Sequence, residues 1–329
     1  MFERCVDRGE RELVRRITKV LGISERDDCA MLGDGEKLLV WTTDMLHRRT
    51  DFPGIATPWQ MGWMTVAVNL SDVAAMGALP LGLLVAAGIP PKTGVDFLED
   101  LFAGMKDCAR TFETRVIGGD LDSHQELTLA GTALGWVEEH LVLRRRGARP
   151  GDLLCTTGTL GSAGAGLRIA LAAEVDGGSD LEDEGLLALT KRLLEPAPRM
   201  REGRDLALSR SVSSMMDNSD GLVLSLFDLS EASGTGFLLF EDQIPVDPLV
   251  AGVAKDQNDA LQLALHSGGD FELVFTVSPD RIEDAAGACD LTVIGEVLKE
   301  KKKIVIESQG KIKRLEPRGY EHMAGPERS

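Results

Sequence analysis

The sequence predicts a mixed α/β protein of two sequential domains, residues 1–145 and 146–329. Three observations predict it. Strand-like and helix-like segments alternate in both halves, the pattern of layered α/β domains. At 329 residues the chain is long enough for two cores. The basic run Arg144-Arg145-Arg146-Gly147-Ala148-Arg149-Pro150-Gly151-Asp152 reads as a turn between the two.

Glu10 to Leu21 places Leu13, Ile17, Val20 and Leu21 at helical spacing. Leu38 to Thr43 reads as a strand ending at Asp44. In Thr57-Pro58-Trp59-Gln60 an N-cap Thr, a Pro at the first helical position and a Gln at N3 form a capping-box signature. That helix should run to about Met76 and stop at Gly77. It is apolar nearly all round and therefore buried. Leu81 to Ile89 reads as a core strand, Val95 to Phe112 as an amphipathic helix, Arg115 to Ile117 as a short strand and Leu127 to Val137 as another.

The second half opens with a strand at Leu153 to Thr157 and a Gly-rich turn, Thr156 to Gly166, into a helix. Glu174 to Glu184 reads as an acidic surface loop. Strands are expected at Ser213 to Met216, Phe237 to Phe240 and Phe271 to Val277, with edge strands near Val293 and Ile304. A helix should follow Gly221.

Hydrophobic content of 43% and charged content of 27% are those of a globular protein. A net charge of −17 excludes a nucleic-acid backbone as the main partner and suits recruitment of divalent cations. The five cysteines are scattered and form no CxxC pair, the usage of reduced thiols in the cytoplasm. Met1 to Lys19 is charged throughout and does not read as a signal sequence. The uncharged run Val73 to Ile89 contains Pro80 and three glycines, so no membrane span is expected.

Between Phe52 and Pro91 the only charged side chain is Asp72. A buried carboxylate without a partner is costly, and no Lys or Arg lies nearby in sequence. Four other short motifs set an acid beside small residues: Asp27-Asp28-Cys29-Ala30, Thr42-Thr43-Asp44, Gly118-Gly119-Asp120 and Asn218-Ser219-Asp220-Gly221. Any one of them is explained by a turn or cap. Together with Asp72 they predict convergence on hard divalent ions, and so many acids suggest several Mg²⁺ ions bridging a polyphosphate. Asn69 and Asp72 are three apart and share a helix face. The Gly-rich run Thr157 to Gly164 could cradle a phosphate at a helix N-terminus, but it lacks the P-loop ending, and a structural turn is the simpler reading. The five histidines (His47, His124, His140, His266 and His322) show neither ligand spacing nor a triad pattern, so electrostatic, metal-based chemistry is expected over covalent catalysis.

Taken in order, these motifs, with Asn69-Leu70-Ser71-Asp72-Val73-Ala74-Ala75-Met76-Gly77, Arg145 to Asp152 and Ser267 to Leu273, resemble the thiamine-monophosphate kinases of the aminoimidazole-ribonucleotide-synthetase-like superfamily, over roughly residues 10–322. The resemblance implies an N-terminal α/β domain that completes a β-barrel with its twin in a homodimer. It also implies a C-terminal α/β domain covering the nucleotide, and transfer of the ATP γ-phosphoryl to thiamine monophosphate. By motif match it implies Asp28, Thr42, Thr43, Asp44, Asp72, Asp120, Asp217 and Asp220 as Mg²⁺ ligands. Phe102 (where the family commonly has Tyr), Gly119, Asp120, Arg145 and Ser219 would contact ATP. The departures fall on the substrate side. Asp51 stands where the family often has His, Gly269 lies nearest to an absent substrate-contacting Glu, and Pro317 occupies an expected aromatic position. Two other readings remain: a superfamily member with another acceptor, such as an amide-activating ligase or a selenophosphate synthetase, and a nucleotide-binding sensor without catalysis. A selenophosphate synthetase fits less well, because no reactive Cys or Lys precedes a Gly-rich N-terminal loop.

Overall fold

The structure, a computed structural model, describes residues 5, 8–23, 26–175 and 183–320. Helix α1 (Glu10–Leu21) precedes a five-stranded sheet made of β1 (Ala30–Asp34), β2 (Lys37–His47), β3 (Leu79–Ile89), β4 (Val116–Ser123) and β5 (Thr128–Glu138), in the order β1-β2-β5-β3-β4. All neighbours are antiparallel except β3 and β4. Helices α2 (Pro58–Ala75) and α3 (Val95–Thr111) cover one face only. On that face Leu38, Val40 and Leu46 of β2, Leu83, Val85 and Ala87 of β3, and Leu129, Ala133 and Val137 of β5 are buried. Period-2 alternation leaves Trp41, Met45, Leu84 and Ile117 exposed, so an apolar sheet face lies open.

Helix α2 begins with the expected capping box, Thr57 Oγ1 accepting from Gln60 N and Gln60 Oε1 from Thr57 N. It ends before Gly77, whose φ of +66° closes the turn. Its all-round burial has three causes. One side lies on the sheet. A second packs on α3 where Gly62 meets the Leu101 carbonyl and Gly104 meets the Trp59 carbonyl, contacts that no Cβ would permit. The third faces the second half of the chain: Trp63 Nε1 donates to the Pro196 carbonyl at 2.8 Å, and Ala74 touches Gly203.

The second half forms a seven-stranded sheet from β6 (Leu153–Thr156), β7 (Val212–Asp217), β8 (Gly236–Phe240), β9 (Leu273–Val277), β10 (Thr292–Leu298), β11 (Ile304–Ser308) and β12 (Lys311–Arg314), in the order β12-β11-β8-β10-β6-β9-β7. The segments near Val293 and Ile304 are therefore interior strands, not edges: β10 lies between β8 and β6, and β11 between β12 and β8. Alternation sorts the two faces. Cys155, Met215 and Phe275 pack into the core shared with α2, together with α6 (Met200–Ser209) and α9 (Ile282–Ala288). Leu154, Met216 and Val274 face α7 (Leu222–Ser233) and α8 (Gln257–His266). Helices α4 (Ser162–Val175) and α5 (Glu184–Leu194) pack together at one end. Of the expected acidic loop, Glu174 lies in the last turn of α4 and Glu184 opens α5, while residues 176–182 lie outside the described residues. No helix among the described residues is long and apolar enough to cross a membrane.

Candidate metal centre

Three carboxylates from distant parts of the chain converge. Asp28 precedes β1, Asp72 sits in the last turn of α2, and Asp217 ends β7; one oxygen of each lies within 4.8 Å of the others. The local reasons are legible. Asp217 follows the alternation of Met215 on β7 and so faces α2, where Ser71 Oγ donates to its Oδ2 at 2.6 Å. Asp72 points at β2 and accepts from Thr42 Oγ1. Asp28 Oδ1 accepts from Arg145 Nε at 3.1 Å and Nη2 at 2.6 Å. The backbone N–H of Arg145 in turn donates to Asp27 Oδ1 at 2.8 Å, which fixes the interdomain turn to the first domain.

The electrostatics are those of a site short of positive charge, with Arg145 set against three carboxylates. Burial, then repulsion from Asp44, Asp217 and Asp28, pushes the Asp72 carboxyl well above its ordinary range. Burial and Asp28 push Asp217 up to about 7. Burial raises Asp28 as well, against the pull of Arg145. Burial lowers the tendency of Arg145 to stay charged, but Asp28 more than offsets it, so its pKa is raised. Asp72 also sits at the negative end of the α2 dipole, an unfavourable place for an anion. Cys29 lies among the same carboxylates, and burial with their charges holds its thiol protonated. Asp28 Oδ2 is buried with no hydrogen-bond partner among the described residues. An all-oxygen donor set with an orphaned buried carboxylate oxygen fits a hard divalent cation.

Other sequence-derived candidates fall into three groups. Asp44 is on the α2-facing side of β2, its backbone N–H donating to Asn69 Oδ1 at 3.3 Å, and its charge acts on Asp72. Ser219 Oγ donates to Asp217 Oδ1 at 3.3 Å, and Asp220 follows in the same loop, pushed up to about 6 by partial burial. Those residues adjoin the trio.

Asp120, Gly119, Thr43 and Phe102 do not. Thr43 and Asp120 project from the open face of the five-stranded sheet: Thr43 Oγ1 bonds the Gly131 carbonyl at 2.8 Å and Thr132 at 3.0 Å, and Asp120 is in register with Ala86. Gly118-Gly119-Asp120 lies within β4, not after a strand, and two strands separate β4 from β2. At about 4.8 Å per strand, Asp44 and Asp120 are roughly 14 Å apart across the sheet. The expected convergence therefore does not bring Asp120 beside Asp44 within one chain. Phe102 sits on α3 beside the Gly62 end of α2, about 15 Å of helix rise from Asp72.

The Gly-rich turn is also settled. Asp270 accepts from Gly161 N at 2.7 Å and Ala163 N at 2.9 Å, so the N-terminus of α4 already holds a carboxylate and is no phosphate cradle. Asp51 accepts from His47 N at 2.7 Å and from Tyr320 Oη at 3.4 Å. The backbone of Tyr320 donates to the Asp220 carbonyl at 3.0 Å, and that of Gly269 (φ +93°) to the Ser219 carbonyl at 2.8 Å. Asp51, Tyr320 and Gly269 thus line one edge of the Ser219-Asp220 loop. Tyr320, not Pro317, is the aromatic residue there; Gly319-Tyr320 after the last strand was the available signal. Of the histidines, His47 bonds Thr128 at 3.2 Å and His266 the Arg318 carbonyl at 3.1 Å, and neither reaches the trio; His322 lies outside the described residues.

Comparison with known proteins defines the class. The N-terminal domain of AIR synthase related protein matches residues 26–137 and its C-terminal domain residues 149–307. The chain is 39% identical over 314 residues to a thiamine-monophosphate kinase of Methanospirillum hungatei, covering 95% of this chain and 99% of the relative. It is 34% identical over 319 residues to the thiamine-monophosphate kinase of Archaeoglobus fulgidus, covering 95% and 97%. A solved structure, AaThiL complexed with AMPPCP and TMP, superposes with a TM-score of 0.89 at 28% identity, over 98% of this chain and 99% of that one. The chain belongs to the AIR synthase related family, whose two domain models match most of it. Within it, the chain belongs to the thiamine-monophosphate kinases.

Proposed function

We propose that the protein phosphorylates thiamine monophosphate to thiamine diphosphate with Mg²⁺ and ATP, by direct in-line transfer. The observation that carries this reading is the trio Asp28, Asp72 and Asp217, whose mutual repulsion calls for cations, in a chain whose relatives are thiamine-monophosphate kinases. Mg²⁺ bound there would neutralise the ATP phosphates and the developing charge. The remaining work falls to the chain. Asp44, Asp220 and Thr42 extend the ligand set beside the trio, while Arg145 and Ser219 flank it as nucleotide contacts. Asp51, Gly269 and Tyr320 border the acceptor side. The acceptor phosphate is substantially ionised near pH 7, so orientation suffices and no general base is required.

Gly119, Asp120, Thr43 and Phe102 enter the proposal through a homodimer. The open face with Trp41, Met45, Leu84 and Ile117 suits a second copy, whose sheet would close a barrel with this one. Asp120 of the partner subunit would then come to the β1–β2 edge of this sheet, from which two strands separate Asp120 within one chain.

The test is an acceptor assay on the full chain. Thiamine monophosphate with Mg-ATP should yield thiamine diphosphate and ADP in equal amounts, and chelation of Mg²⁺ should abolish it. ADP release that ignores thiamine monophosphate would defeat the acceptor assignment and favour a superfamily member of other specificity.

A further inference from the structure

Helix α1 is amphipathic, yet none of its side chains is buried. Val14, Ile17 and Leu21 are exposed, so apolar burial does not hold it in place. Charge does. Arg11 Nη1 pairs with Asp228, Arg15 with Glu231 at 2.9 Å, and Arg26, just beyond the helix, with Glu231 at 3.1 Å. Both carboxylates lie on α7, whose N-terminus leaves the Ser219-Asp220 loop. Arg11 also has a second contact: Nη2 lies 3.9 Å from Asp220 Oδ2. One guanidinium thus bridges a structural carboxylate and the outermost acid of the metal centre.

We propose that Arg11 is the resident counter-ion of Asp220 and competes with a divalent cation for that carboxylate. The proposal rests on the reading that Asp220 is a cation ligand. The charges acting on Asp220 are Arg11, Asp228, Glu10 and Arg145, and Arg11 stands first among the cations. A divalent ion on Asp220 would face the guanidinium at close range. Either its affinity falls, or Arg11 retreats onto Asp228 alone and α1 loses one of its few anchors. Because coupling is reciprocal, docking of α1 weakens cation binding at Asp220 by the factor with which the cation loosens α1. Arg11 thereby sets the divalent-ion concentration at which the outer part of the centre fills, while the trio, out of contact with Arg11, feels the change through the charge of Asp220 on Asp217.

The experiment titrates Mn²⁺ into the nucleotide-free full-length protein, counting bound ions by electron paramagnetic resonance and measuring amide exchange across α1. Arg11→Met keeps the side-chain length on an outer helix and should tighten one Mn²⁺ site about three- to tenfold. In an Asp220→Asn background the same substitution should change nothing, and in the unaltered protein saturating Mn²⁺ should speed exchange in α1. Equal Mn²⁺ affinity with and without Arg11, or the same gain in the Asp220→Asn background, overturns the proposal. Absence of any Mn²⁺ uptake by the unaltered protein would instead remove the metal reading, and this inference with it.

Discussion

Two clusters of buried acids, one at the domain seam and one at the foot of α4, show what decides whether a carboxylate is structural. In the second cluster every acid is answered. Asp270 takes two backbone N–H groups, and Glu272 takes Thr157 Oγ1 at 2.6 Å and Arg199 Nε at 2.7 Å. Asp247 takes Ser162 Oγ at 2.8 Å, the Leu249 N–H at 2.9 Å and the Arg192 guanidinium. In the trio, among the described residues, the side-chain hydrogen-bond partners of Asp72 and Asp217 are hydroxyls, and Asp28 leaves one oxygen without a partner beside Arg145. The same side chains that tie loops together in one place are held in mutual repulsion in the other. The difference is the supply of donors, and it is what makes the trio the candidate site.

The contrast can be broken from either side. Asp72→Asn should lower turnover by about a hundredfold or more and raise metal-free stability, because it relieves repulsion; thermal melts without metal beside the acceptor assay check both. Lost activity with lost stability would mean that Asp72 is structural. Arg199→Met should do the reverse, costing about 2–4 kcal/mol by stranding the buried Glu272 while leaving Mg²⁺ affinity intact, as read by denaturant unfolding and calorimetry. The smallest effect concerns pH. The folded-state pKa of Asp217, about 7, lies above the ordinary aspartate value of about 4, so the folded protein binds more protons between those values. Metal-free stability should then fall as pH rises from about 4 to 7. If Mg²⁺ binds as proposed it displaces these protons, so the gain in melting temperature on adding it should be larger at pH 8 than at pH 5.5. An equal gain at both would argue that the trio is already neutralised.

Much of this was legible in the chain, for identifiable reasons. The capping box and the lone acid of α2 are local signals, and both led to the correct helix and to a residue of the centre. Asp217 and Asp28 were legible as motifs because small residues flank them. What sequence could not supply was facing. The parity that puts Thr43 and Asp120 on the open side of the sheet depends on register with β5 and β3, which only the assembled sheet fixes. Nor could it say that β10 and β11 are interior strands, since sheet order follows from long-range pairing. Asp270 read as part of a family motif; that it caps α4, more than a hundred residues away in sequence, belongs to tertiary structure.

The hydrogen bond from Ser71 to Asp217 joins residues 146 positions apart, and it is also where the candidate centre crosses between the two halves. Neither half contains a complete centre: Asp28 and Asp72 belong to one and Asp217 to the other. A bound ion would therefore act as a staple across the junction. Fragments produced by cutting the chain between Gly147 and Asp152 would regain the centre only by reassociating, and their affinity for each other should rise with the ion concentration.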